Sequence, residues 1–133
     1  MHSLSFFHNH EVEEEEAHLE ENLPPPLIKK SLDEWKSELE KKDFEICRLK
    51  KTEEPFSENS LYYCEKEGYY TCKCCNSELF ISKNKIKSNS GWPSFSNPSS
   101  KKVIHFVKEI WQTEVICSTC HSHLGFAFVI FQF

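Results

Sequence analysis

Two cysteine pairs, Cys72/Cys75 and Cys117/Cys120, bracket a Gly91-Trp92-Pro93-Ser94-Phe95 loop, with 41 residues between Cys75 and Cys117. A C-x-x-C turn aims two thiols at one point. Two such turns supply four sulfurs to one tetrahedral cation, for which zinc is the usual occupant. One pair alone reads as well as a redox couple. Two pairs in 133 residues read as one structural zinc site on Cys72, Cys75, Cys117 and Cys120. The plainer alternatives are two disulfides or four core thiols, since cysteine sits readily in cores. Cys74 lies inside the first turn and allows a shifted register. His121 and His123 follow Cys120 closely enough to act as substitute ligands.

These turns need elements to hold them. Ser31-Leu32-Asp33-Glu34 forms a capping box, with Ser31 as N-cap and Glu34 reaching back to its amide. Leu32, Trp35 and Leu39 then recur at helical spacing, which predicts one short helix to about Lys42 anchored in the core by Trp35. Phe44, Ile46 and Arg48 alternate with Glu45, Cys47 and Leu49, a weak strand pattern. Aromatic-rich Leu61–Tyr63 and Gly68–Cys72 suit strands, as do Leu79–Ile81, Val103–Val107 and Trp111–Cys117. Pro93 biases Trp92 away from helix, so Gly91–Pro93 is a loop. Leu124–Phe133 is apolar, with four Phe and no charge. The expected class is mainly β: two small antiparallel sheets, a short N-terminal helix and a zinc-stapled pair of knuckles. A domain of this size buries limited area, so a structural metal would add folding energy outright.

Composition narrows the function. The net charge of −5 is uneven: residues 1–26 hold seven Glu and no Lys or Arg, and the remainder holds 14 acids against 16 bases. A near-neutral body gives no reason to expect a nucleic-acid groove. Residues 1–26, closing in Pro24-Pro25-Pro26, read as a disordered acidic tail, and residues 27–133 as the domain. No stretch approaches the roughly 20 apolar residues of a membrane span. Met1–His10 lacks the form of a secretory signal, and the acid-rich stretch after it does not suit a mitochondrial presequence. Seven cysteines, an odd number, suit reduced thiols in the cytoplasm better than a disulfide framework.

The core resembles the methionine-R-sulfoxide reductases, the type-B peptide-methionine sulfoxide reductase family. Thr52-Glu53-Glu54-Pro55-Phe56 resembles its opening motif. Gly68–Cys75 with Leu79, Phe80 and Ser82 resembles its first knuckle. Lys85, Ser88 and Gly91–Phe95 resemble its substrate loop, and Thr113-Glu114-Val115, Cys117, Cys120 and His123-Leu124-Gly125 its second knuckle. The similarity runs from Trp35 to Phe128 with the motifs in family order. It implies an oxidoreductase of protein repair and the oxidative stress response, acting as a monomer on oxidised methionine in proteins or peptides. The implied reductant is thioredoxin-like. A thiolate attacks the sulfoxide sulfur, an acid protonates the oxygen, and a sulfenic acid is left on the enzyme. No organic cofactor, nucleic acid or membrane is implied.

Two departures bear on activity. The family reads His-Leu-Gly-His-x-Phe, whereas this chain reads His123-Leu124-Gly125-Phe126-Ala127-Phe128. The family then carries an Asp-Gly-Pro turn and an Arg-Tyr-Cys-x-Asn strand bearing the nucleophile, where this sequence reads Val129–Phe133. By resemblance Trp92 is the indole wall for the substrate methyl, against the plain reading of a core aromatic. His123 resembles the first catalytic histidine, and a structural or metal-binding histidine weighs equally. Phe126 replaces the second histidine and cannot transfer a proton. Cys47, Cys64 and Cys74 remain as thiols outside the pairs. Three readings follow: a family domain inactive as written, an active enzyme using a displaced thiol such as Cys64, or a zinc-ribbon interaction module without redox chemistry.

Overall fold

A computed structural model describes residues 4–8 and 17–129. The capping box forms: the Glu34 amide donates to Ser31 Oγ and the Ser31 amide to Glu34 Oε1, both at 3.2 Å. Helix α1 spans Leu32–Glu38 and is stopped by extended backbone at Leu39 and Glu40. Trp35 is buried as expected, with Lys30 and Arg48 over its ring at 4.8 and 4.5 Å.

The segment expected as a weak strand is instead a second helix, α2, Lys41–Leu49. Its alternation misleads. The residues that go inside are Asp43, Phe44, Ile46 and Cys47, and Phe44 and Cys47 stand one helical turn apart on the core side. Lys50 ends the helix in the left-handed conformation, φ 60°. Arg48 then donates to the Cys120 carbonyl at 2.8 Å, tying α2 to the second knuckle.

The described strands are β1 Leu4–His8, β2 Ala17–His18, β3 Tyr69–Thr71, β4 Glu78–Ile81, β5 Lys85–Ile86, β6 Ser94–Phe95, β7 Ile104–Lys108, β8 Thr113–Cys117 and β9 His123–Val129. Strands β3 and β4 pair antiparallel as one small sheet. The others form a larger sheet in the order β2-β7-β8-β9-β1-β6-β5, with β7, β8 and β9 as its antiparallel centre. Phe95 joins the two sheets: it stacks on Phe80 at 4.4 Å and meets the Tyr70 ring edge at 4.8 Å. The aromatic Leu61–Tyr63 run is a short 3-10 turn rather than a strand. Ser60 caps that turn by accepting from the Tyr62 amide.

The acidic tail holds two pairings that its composition does not predict. Ala17–His18 lie parallel on β7, and Leu4–His8 lie parallel to both β6 and β9. The apolar residues Leu4, Phe6 and Phe7 precede the acid run and are locally strand-like, a signal outweighed by the average over 26 residues. The Glu13–Glu16 run lies outside the described residues. Beyond the prolines, the Ile28 amide donates to the Thr119 carbonyl at 2.9 Å, fixing the start of the domain to the second knuckle.

Candidate metal centre and substrate cleft

The two knuckles are built alike. In the first, the Asn76 amide donates to the Cys72 carbonyl and the Cys72 amide to the Ser77 carbonyl, both at 2.9 Å. In the second, His121 donates to Cys117 at 2.8 Å and Cys117 to Ser122 at 3.0 Å. Asn76 and His121 hold the same left-handed conformation, φ 62° and 60°. The residue after each second cysteine therefore reverses the chain. His121 is the counterpart of a turn asparagine, which accounts for a histidine so close to Cys120.

The turns face each other. Cys72 and Cys120 sulfurs lie 3.7 Å apart and Cys75 and Cys117 sulfurs 3.6 Å apart, and all four lie within 4.8 Å of one another. A tetrahedron with metal–sulfur arms of about 2.3 Å has edges of about 3.8 Å. The four thiols thus fit a single tetrahedral metal ion. Without a cation they compete for protons. Hydrogen bonding to Cys117 pushes the Cys72 thiol up, and hydrogen bonding to Cys120 draws Cys117 down to about 2. A cation resolves that competition in favour of four thiolates. Ser77 supports the centre, contacting Cys75 Sγ at 3.0 Å and donating to Thr119 Oγ1 at 3.1 Å.

The other candidates fall elsewhere. Cys74 points to Ser122 Oγ at 3.6 Å, outside the four-sulfur cluster. His123, buried on β9, places Nδ1 2.5 Å from Glu114 Oε2. Glu114 Oε1 meets Lys50 Nζ at 3.1 Å. Burial pushes the Glu114 carboxyl up, but His123 and Lys50 outweigh it and hold the group below the ordinary carboxylate range. Burial lowers Lys50, and Glu114 and Glu109 more than reverse this. The result is a Lys50–Glu114–His123 chain that fixes the imidazole. The Phe126 ring stands 5.2 Å from it. Sequence reading missed Lys50. Glu114 carried a signal, an acid between Thr113 and Val115 in the interior of a strand.

The Gly91–Phe95 loop is clamped from one side. Trp92 Nε1 donates to the Glu53 carbonyl at 2.8 Å, and the Phe56 amide donates to the Gly91 carbonyl at 2.9 Å. Gly91 has φ +84°, and a Cβ there would lie 2.7 Å from Phe56 Cδ2 and from Pro55 Cβ. The indole is half-buried. On the other side Lys85 Nζ donates to the carbonyls of Leu61, Tyr62 and Cys64 at 2.7, 3.2 and 2.6 Å. A cavity of about 840 Å³ there is lined by Tyr62, Tyr63, Cys64, Lys85, Ser88 and Ser94, among others, and not by Trp92 or His123. A hydrogen bond from the Lys66 backbone lowers the Cys64 thiol, helped by the Tyr70 hydroxyl and nearby lysine charge and opposed by burial. Cys47 is buried, and hydrogen bonding to Cys74 pushes it up. Among the described residues, the hydrogen bonds of Cys47, Cys64 and Cys74 run to Cys74, Ser122, Lys66 and Tyr70, not to Trp92 or His123.

Fold and site together define a mainly β domain whose two knuckles bring four thiols together as a set that could hold a metal ion, with an indole-bearing loop and a carboxylate-held histidine in place. The SelR domain family matches residues 39–130. A peptide methionine sulfoxide reductase MsrB from Methanosarcina mazei is 44% identical over 108 residues, covering 76% of this chain and 74% of its own. Its namesake from Pseudomonas fluorescens is 40% identical over 105 residues, covering 76% and 80%. The chain belongs to the methionine-R-sulfoxide reductase (MsrB) family of oxidoreductases.

Proposed function

We propose that these 133 residues form a methionine-R-sulfoxide reductase domain that keeps the substrate wall and one proton-handling histidine but has no nucleophile to complete the reaction. In the family reaction a thiol and a sulfoxide become a sulfenic acid and a thioether. The sulfur–sulfur attack moves oxygen from substrate to enzyme, and a proton reaches that oxygen as methionine leaves. A second thiol then condenses with the sulfenic acid, releasing water. A thioredoxin-like dithiol reduces the disulfide. Trp92 packs the substrate methyl, and His123, held by Glu114, serves the oxygen. Phe126 cannot share that task.

The observation that carries the reading is the disposition of the thiols. Cys72, Cys75, Cys117 and Cys120 converge on one another, and Cys47 and Cys74 group beside the second knuckle. Cys64 lines a cavity that lacks Trp92 and His123. We assign one structural zinc to the four converging thiols, since an all-thiolate tetrahedral set is a closed zinc site. None of the seven cysteines forms a disulfide, which suits the reducing cytoplasm, and we take the domain to act there as a monomer. No helix among the described residues is long and apolar enough to cross a membrane.

The experiment is the formation of methionine from a resolved R-sulfoxide by the 133-residue chain with a dithiol reductant. No turnover above the reductant alone is expected. Turnover that disappears in Cys64→Ser would overturn the proposal in favour of a displaced nucleophile. A zinc-ribbon interaction module is the second reading, favoured by one feature. Ile110 and Trp111 stand 89% and 95% exposed at the β7–β8 turn, as a protein contact requires. A pull-down abolished by Trp111→Ser, with no binding of methionine sulfoxide, would favour that reading.

A further inference from the structure

Strand β9 is paired along one side by β8, and β6 along one side by β5. The remaining sides of β9 and β6 face each other across the width of one strand. Leu4–His8 fills that width. Ser5 stands opposite Ser94 on one side and Phe126 on the other, and Phe6 opposite Phe95 and Ala127. Neighbouring strands lie about 4.8 Å apart, so without this strand β6 and β9 would be separated by roughly 10 Å, too far to pair directly. Both edges would then present unpaired amides and carbonyls, a costly state for buried backbone.

We propose that the trough between Ser94–Phe95 and Gly125–Val129 is a strand-acceptor site, and that the chain's own residues Leu4–His8 are its occupant. Three features support this occupant. Its register is continuous along β9, from Leu4 opposite Gly125 to His8 opposite Val129. It runs parallel to both neighbours, so it joins the sheet as an inserted strand rather than as a hairpin arm. Its sequence, Leu-Ser-Phe-Phe-His, carries no acid, unlike the Glu13–Glu16 run that follows. A consequence concerns any segment turning back after β9. Such a segment pairs antiparallel with its predecessor, and β8 already holds the other side. Where it pairs with β9, it enters this trough and displaces Leu4–His8.

The test is amide hydrogen exchange on the full 133-residue chain, read by mass spectrometry over residues 4–8, 94–95 and 125–129. Leu4–His8 should exchange at least about 100-fold more slowly than a peptide of the same sequence, at a rate independent of protein concentration. Ser5→Pro removes a backbone donor from an inserted strand. It should speed exchange in Gly125–Val129 about 10-fold or more and leave the Cys72–Asn76 amides unchanged. Exchange of Leu4–His8 at the free-peptide rate in the unmodified chain overturns the proposal. Protection that appears only with rising concentration, together with a doubled mass, also overturns it, because a second copy would then supply the strand.

Discussion

Lys85 and Gly91 hold their neighbouring segments by different means. Lys85 is a structural cation whose three carbonyl partners gather the Leu61–Cys64 turn. Lys85→Met leaves those carbonyls short of a donor and should cost about 1–3 kcal/mol, read as a lower urea midpoint at unchanged slope. Gly91→Ala meets both a positive φ and close atoms of Pro55 and Phe56, the Phe56 amide nitrogen at 2.8 Å among them. It should cost about as much and detach the Trp92 loop, which would appear as a red-shifted indole emission. Glu114 governs pH dependence. Its folded pKa lies below its ordinary value of 4.5, so its contribution is present above that value and drains as pH falls through the folded pKa. Lys50 is raised from 10.5, so its share is present below that value and lost as pH rises through its folded pKa. Glu114→Gln should therefore destabilise the chain most near neutrality, with the difference from the parent closing in acid. A deficit that grows in acid would contradict the Lys50–Glu114–His123 arrangement.

Local chemistry decided which elements could be read from sequence. The capping box of α1 is spelled by Ser31 and Glu34 alone, and Ser31→Ala should cost about 1 kcal/mol, measurable in the same urea titration. The knuckles are equally local, since spacing and turn geometry bring each thiol pair together before any tertiary contact. Helix α2 was not legible as a helix. Phe44-Glu45-Ile46-Cys47 alternates as a strand would, and the pattern that matters, a core face shared by Phe44 and Cys47, emerges only once β9 and the second knuckle supply the surface that buries it. Strand β1 was hidden for a stronger reason. Its pairing partners lie about ninety and a hundred and twenty residues away, and five strand-forming residues beside an acid run carry no local sign of them. The candidate site divides in the same way. Trp92 and His123 were visible through motif order, whereas Lys50, joined to Glu114 only through the fold, was not.

At the scale of the molecule, the knuckles work as a clasp. One sits between β3 and β4 and the other between β8 and β9, so the four thiols join the small sheet to the large one. Chain entering from the N-terminus is drawn to the same place, through Ile28 to Thr119 and Arg48 to Cys120. Removing the proposed zinc should release all three connections together. A chelator should lower the melting temperature by many degrees and broaden the transition, because metal binding and folding are coupled. Closure of both knuckles on a single zinc is measured by metal analysis with X-ray absorption at the zinc edge on the purified chain. One zinc per chain with four sulfur neighbours at about 2.3 Å is expected, with that stoichiometry lost in Cys117→Ser. A chain that folds without zinc, or a zinc shell containing nitrogen from His121 or His123 in place of a sulfur, would contradict it.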